Sequence, residues 1–370
     1  MKILLLGEYS NVHWTLACGL RSLGHQVTVI SNGDFWKQYK CDILLKRDCS
    51  SGIRFAAFYY YLKVLRTLPL MRGYDVVQII NPMFLELKAE RIWKFYRYLR
   101  RHNGKIYLGA FGMDHYYVKG CLEGKLFRYS ELVYNNRIRA VQDNLDSIQD
   151  WNGNSAKAIL NRRIAKDCNG IVAGLWEYFQ CYRQEFGNKL AYIPFPVEPV
   201  AKDMLAERYY QDIDRVRFFI GIQKTRSEFK GTDILLKVLQ DLSSEYPDKM
   251  ELVSVCNVPF EEYKKQMRNS DILVDQLYSP SPNMNSLLAM SQGLVVAGGG
   301  WEEPYNLLGE SELRPVIDLP CEPEQIRKTL LEYINNPERV KEMKKESVEY
   351  INRYHIPSIV ASRWIEFTNR

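Results

Sequence analysis

Three cations, Lys224, Arg226 and Lys230, fall within seven residues of the stretch FFIGIQKTRSEFKGTDILL. Arginine presents a fixed fork of donors to phosphate oxygens, and lysine presents a compact point charge. The cations follow an apolar run at 218–220 and precede Gly231 and a helix-like segment. That order places them on a loop between a strand's carboxyl end and a helix's amino end, where open α/β sheets take ligands. The chemistry to expect is binding of a phosphate-bearing anion. A solvated basic loop is the plain alternative.

Other polar runs also follow short apolar ones. Ser279 to Ser286 leads into an apolar run at 287–291 that stops at Gly293. Serine and asparagine in that place are N-cap residues, and a helix amino terminus offers free N–H groups to phosphate. Asn283 or Asn285 would add a side-chain donor, with an ordinary capped helix as the alternative. Residues 7–13 bring Asn11 and His13, and residues 109–115 end in Asp114 and His115. His13, beside Trp14, has the commoner fate of a packed or capping histidine to weigh against a binding role.

Positioning these groups requires a parallel sheet. Strand-like runs at 3–6, 26–30, 75–80, 105–108, 170–173 and 190–193 alternate with helical segments, which is the pattern of βαβ units. The pattern resumes at 217–220, 251–255, 272–274, 294–297 and 316–319. Between the two series, residues 193–200 hold three prolines in eight residues, an extended linker and the best domain boundary. From Glu322 onward the chain reads as helix, with starts near Pro323, Pro337 and Pro357. The last helix has an apolar face (Ile359, Val360, Trp364, Ile365) that must pack on something.

Composition agrees with a globular two-domain chain. It has 370 residues, 46% hydrophobic and 25% charged, with net charge +6. Eight cysteines without a C-x-x-C pair suit reduced thiols rather than a disulfide framework or a zinc site. The apolar run near Met1 is too short for a signal peptide and reads as a first strand. No apolar run approaches a membrane span. The cations form no continuous patch and no RNA-binding motif appears, which argues against nucleic acid.

Taken together, the segments resemble the GT-B retaining glycosyltransferases of the group 1, or GT4, type. The resemblance rests on MKILLLGEYSNVHWTLACGLRSLGHQVTVIS, the IPFPVEP hinge and the R-x-x-x-K-G-T-D loop. It continues through DILVDQLYSPSPNMNSLLAMSQGLVVAGG and the helical tail, in that order. It implies an α/β fold of two doubly wound Rossmann-like domains facing across a cleft, with a helical C-terminal tail. Residues 1–195 would hold the acceptor, residues 196–353 the nucleotide-sugar, and 354–370 would cross back to the first domain. Arg226, Lys230 and Gly231 would grip the donor diphosphate with Asn285 in support. Asp114 and His115 would contact sugar hydroxyls as the catalytic candidates, and Asn11 and His13 would line the acceptor side. No cofactor or metal is expected, because fixed cations neutralise the leaving diphosphate.

The family pattern also carries a glutamate pair eight residues apart, at positions where this chain has Pro280 and Leu288. Glu302 and Glu310 share that spacing but follow Gly298 to Gly300, one strand too late. Glu303, beside Glu302 at the end of the 294–297 strand, stands as a candidate replacement on the donor side. Arg226 and Lys230 are four apart, one residue short of the family spacing.

The function implied is transfer of a sugar from UDP- or GDP-sugar to a glycan or lipid-linked acceptor, in surface polysaccharide synthesis in the cytoplasm. A catalytically silent nucleotide-binding or scaffold protein of the same fold is the alternative, and a sugar-nucleotide epimerase a weaker one. The stretch RFAAFYYYLKVLRTLPLMR mixes cations with aromatics, and a basic aromatic helix can lie on an anionic membrane. Against peripheral membrane contact stands the reading that Phe55, Phe58, Leu62 and Leu65 are core, with Lys63 and Arg66 on the wet face.

Overall fold

The computed structural model describes residues 1–48, 53–200 and 211–370, and the side chains of Trp36, Ile53 and Arg54 lie outside that description, as does Cys49. The chain forms two compact units. The first comprises residues 1–126, 146–196 and 357–370, and the second comprises 127–145 and 197–356. Residues 127–145, on the amino-terminal side of the proline-rich hinge, therefore belong to the second unit.

The first unit opens with β1 (Lys2–Leu6), β2 (Gln26–Ser31), β3 (Ile43–Leu44), β4 (Val76–Ile79) and β5 (Lys105–Ala110). The chain next forms a small antiparallel hairpin in the second unit, β6 (Val133–Tyr134) and β7 (Arg137–Ile138). It returns for β8 (Gly170–Ala173) and β9 (Leu190–Tyr192). Among the described residues the first sheet has seven strands in the order β3-β2-β1-β4-β5-β8-β9, paired in parallel throughout. Ile3, Leu4, Leu5 and Leu6 are buried on both faces of the sheet, which is why β1 reads as an unbroken apolar run.

The last helix, Pro357–Asn369, packs on Val12–Ser22 in this unit. Gly19 makes the crossing close: a Cβ there would stand 2.1 Å from the Pro357 carbonyl oxygen. Val360, Ala361 and Trp364 are buried, so the apolar face expected of the tail has its partner.

The second sheet, five strands among the described residues, contains β10 (Val216–Ile222), β11 (Met250–Cys256), β12 (Ile272–Val274), β13 (Val295–Gly298) and β14 (Val316–Asp318). Their order is β11-β10-β12-β13-β14, again all parallel. Phe218, Ile220, Ile272 and Val295 meet Leu235, Leu239, Ile326 and Leu330 from the covering helices to form its core. Two doubly wound Rossmann-like domains with a helical tail are thus the fold. In each sheet the winding reverses once, between β1 and β4 and between β10 and β12. Ligands of such sheets bind outside the strand carboxyl ends at that reversal.

One expectation fails. Phe55 and Phe58 are 63% and 57% exposed, and Leu65 is exposed as well. The helix Ile53–Thr67 buries Ala56, Tyr60, Val64 and Thr67 instead. Both stripes have helical spacing, and this helix is apolar nearly all round, so periodicity fixes the element but not its phase. Lys63 and Arg66 are exposed as expected.

Candidate functional site

After β10 the chain makes a tight turn at Lys224–Arg226 and one helical turn, Ser227–Lys230. Gly231 then enters the helix Thr232–Glu245 at φ 72. Only glycine fits there, because a Cβ would lie 2.8 Å from the Leu277 Cβ. Lys224 is exposed, while Arg226 and Lys230 are half-buried. The Arg226 guanidinium lies 4.4 Å over the Phe229 ring, and its Nε is 3.5 Å from Asp143 Oδ2. Leu277 N–H donates to the Lys230 carbonyl at 2.8 Å. The cation loop and the loop after β12 are therefore joined at the reversal of the second sheet.

The loop after β12 ends in the helix Met284–Ser291, capped by Asn283, which accepts from the Asn285 N–H. The Asn285 side chain is engaged on both ends: its amide donates to Asp275 Oδ1 at 3.2 Å, and its oxygen accepts from Tyr263 at 3.1 Å. Ser286 donates to the other Asp275 oxygen at 2.5 Å. Asp275, only 7% exposed, is the first residue past β12 and orders the start of that helix. In the sequence this functional candidate is visible only as an aspartate directly after an apolar strand. Pro280 is buried and Leu288 half-buried, so neither brings a carboxylate to this loop.

Glu303 lies past β13, exposed, 3.4 Å from Arg128. Arg128 stacks on Trp301 at 4.1 Å, and Trp301 Nε1 donates to the Tyr129 hydroxyl. Arg128, Tyr129 and Trp301, with Asp318 and Glu322, border a cavity of ≈ 310 Å³ at the ends of β13 and β14, and Glu303 is not part of its lining. Glu302 pairs with Arg314. Glu310 accepts from two backbone N–H groups, Tyr354 and Arg353, which hold its carboxyl down at about 2 against the pull of burial. Glu302 thus braces its own segment, while Glu310 ties the loop after it to the helix Pro337–Tyr354.

In the first unit, Asp114 and His115 sit past β5 and start the helix His115–Glu123. Asp114 is the N-cap, accepting from Tyr117 N–H at 2.9 Å and from the Tyr182 hydroxyl at 2.8 Å. Burial pushes its carboxyl up to about 7. His115 Nδ1 is 2.9 Å from the Trp151 carbonyl, to which it donates, and Arg162 lies 3.2 Å from Nε2. Burial lowers its pKa, so the imidazole is neutral with both nitrogens occupied.

His13 is fully buried and likewise occupied, with Nδ1 2.8 Å from the Gly7 carbonyl and Nε2 3.1 Å from Gln78 Nε2. Burial drives its pKa down to about 3. Asn11 is half-buried at φ 70 and is the N-cap residue of Val12–Ser22, yet its side chain does not cap. Glu8 caps instead, accepting from the N–H groups of His13 and Trp14, and burial raises its carboxyl to about 8.

The first sheet's reversal also gathers backbone strain. Of eight non-glycine residues at positive φ among those described, Ser10, Asn11, Asp34, Phe35 and Gln38 lie in the loops after β1 and β2. Strain of this kind clusters at functional sites. Asp34 ties the two loops, accepting from Ser10 N–H at 2.9 Å and pairing with Lys37 at 2.7 Å. In the sequence, Asp34 is visible only as part of a turn.

No protein-family model matches the chain, and no curated protein sequence does. Solved structures share its fold. Sucrose-phosphate synthase from Thermosynechococcus elongatus superposes with a TM-score of 0.63 at 10% identity, covering 100% of this chain and 98% of its own. Anabaena HepE, solved with UDP and glucose, gives 0.59 at 12% identity, covering 100% and 99%. UDP-GlcNAc 2-epimerase from Neisseria meningitidis, solved with UDP-GlcNAc, gives 0.55 at 13% identity, covering 99% of each chain.

Proposed function

We propose that the chain is a glycosyltransferase that takes a sugar from UDP- or GDP-sugar, as a retaining, GT4-like enzyme of surface polysaccharide synthesis. The observation that carries this reading is the Arg226–Lys230 turn at the reversal of the second sheet. Glycosyl transfer expels a nucleoside diphosphate, and charge grows on its oxygens as the glycosidic bond breaks. Fixed cations placed there stabilise that charge without a metal ion. Arg226 and Lys230 are the cations, Gly231 lets the turn close against Leu277, and the Asp275–Asn285–Ser286 network holds the neighbouring helix start. Glu303 stands further off as a donor-side carboxylate.

On the acceptor side, His13, Asp114 and His115 act through position. Their polar atoms are spent on backbone and neighbouring side chains, so they shape the loops after β1 and β5 rather than shuttle protons. This suits a retaining transfer, which needs no strong base. A glycan or lipid-linked acceptor is proposed to meet Asn11 and the loops tied by Asp34. Supporting a lipid-linked acceptor, exposed Phe55, Phe58, Tyr59, Leu65 and Leu70 lie beside Lys63 and Arg66. Peripheral contact with an anionic membrane face follows from that mixture. No helix among the described residues is long and apolar enough to cross a membrane.

The test is thermal stabilisation by UDP, GDP, ADP and their sugars, repeated on Arg226→Ala. Stabilisation by one nucleotide family, lost in the variant, supports the reading. No shift at millimolar nucleotide favours the second reading, a silent scaffold of the same fold, for which Pro280 and Leu288 in place of carboxylates speak. Products with an inverted sugar centre and no transfer would instead indicate an epimerase.

A further inference from the structure

An arginine that the proposed chemistry does not use joins the two loops of the anion site. Arg139 follows the β6–β7 hairpin and is half-buried. Its Nη1 donates to the carbonyl oxygens of Glu131 at 2.6 Å and Phe229 at 3.0 Å, and its Nη2 donates to that of Glu228 at 2.6 Å. The guanidinium carbon lies 3.4 Å from the centroid of the Tyr278 ring. Glu228 and Phe229 lie inside the turn that carries Lys230, and Tyr278 belongs to the loop after β12. From the same segment, Asp143 reaches Arg226.

The carbonyls at the end of a helical turn have no partner within the helix, and a cation beside them is stabilising. A guanidinium that donates to two of them while stacking on the next loop fixes the direction in which the turn presents its side chains. Three of its five N–H donors go to these carbonyls, so most of its hydrogen bonding holds the turn. We propose that Arg139 is a positioning residue for the anion loop, holding Ser227–Lys230 against Tyr278 so that Arg226 and Lys230 are set before the anion arrives. This rests on the reading of that loop as an anion site. Without the tie, the turn must be ordered on binding, and that cost appears as weaker affinity.

The test measures UDP affinity by calorimetry at fixed ionic strength, with amide exchange across residues 226–232, in the full chain. Arg139→Met keeps an apolar stem over Tyr278 but removes the donors, and Arg139→Lys keeps the charge. The expected result is UDP binding about tenfold weaker in Arg139→Met and intermediate in Arg139→Lys. Amide exchange at 227–231 should quicken while β10 stays protected. Methylguanidinium should restore part of the affinity in Arg139→Ala, which a merely structural loss would not allow. UDP affinity within about twofold of the unaltered chain, with 227–231 still protected and Arg226→Ala defective, overturns the proposal. An Arg226→Ala chain that binds UDP normally sinks the anion-site reading instead, and the exchange of 227–231 then decides alone whether Arg139 orders the turn.

Discussion

Trp364 Nε1 donates to Gln78 Oε1 at 2.6 Å, joining the last helix to the interior of β4. The Gln78 amide in turn donates to His13 Nε2, and His13 Nδ1–H donates to the Gly7 carbonyl. A carbonyl can only accept, so this relay fixes the Nδ1–H tautomer of a neutral His13. The tail is thereby coupled to the loop after β1. Trp364→Phe should cost about 1–3 kcal/mol, because the Gln78 oxygen is left buried without a donor. Denaturant unfolding followed on the first unit checks this; an unchanged midpoint would show that the relay is dispensable.

Asp114 makes stability depend on pH. Its carboxyl stands at about 7 in the folded chain against 3.8 unfolded, because burial disfavours the charge. The folded state therefore holds the proton more tightly. The resulting stability is complete below the unfolded value and is lost as pH rises through about 7. Asp114→Asn should remove a slope of about 1.4 kcal/mol per pH unit from that window, compared with the unaltered chain. Parallel curves for the two proteins between those pH values would refute the assignment.

Asp275 is the acceptor for both Asn285 and Ser286. Asp275→Ala should leave the Ser286 hydroxyl buried without its partner, at about 1–3 kcal/mol. It should also loosen the start of Met284–Ser291 and weaken nucleotide binding. Wild-type affinity in this variant would mean that the helix start takes no part in the anion site.

The exposed stripe on Ile53–Thr67 separates folding from docking. Replacing Phe55 and Phe58 with serine should change stability by no more than about 0.5 kcal/mol per site, since both side chains are largely in water. If the stripe meets an anionic membrane, the unaltered chain floats with anionic liposomes and the double variant does not. Equal flotation of the two, or none by either, removes membrane contact from the proposed function.

The alternation of short apolar runs with helical stretches was legible in the sequence because a strand buried on both faces must be apolar throughout. The cation loop was legible because its charges crowd between one such strand and a glycine. The two-residue strands β3, β6 and β7 were not, since two residues carry no periodicity. Nor was the inward face of Ile53–Thr67, where an all-round apolar helix offers two stripes of equal spacing.

The sequence by itself determined two parallel α/β sheets, a proline-rich hinge, a helical tail and a basic loop at a strand end. Local patterns set these: period, proline, glycine and nearby charge. Only the tertiary structure decided that Arg139 donates to that loop from about ninety residues away, that Glu8 rather than Asn11 caps the first helix, and which neighbours the ring nitrogens of His13 and His115 contact. Partners of this kind depend on which strand lies beside which and on what burial does to a charge. Neither is written in the order of the residues.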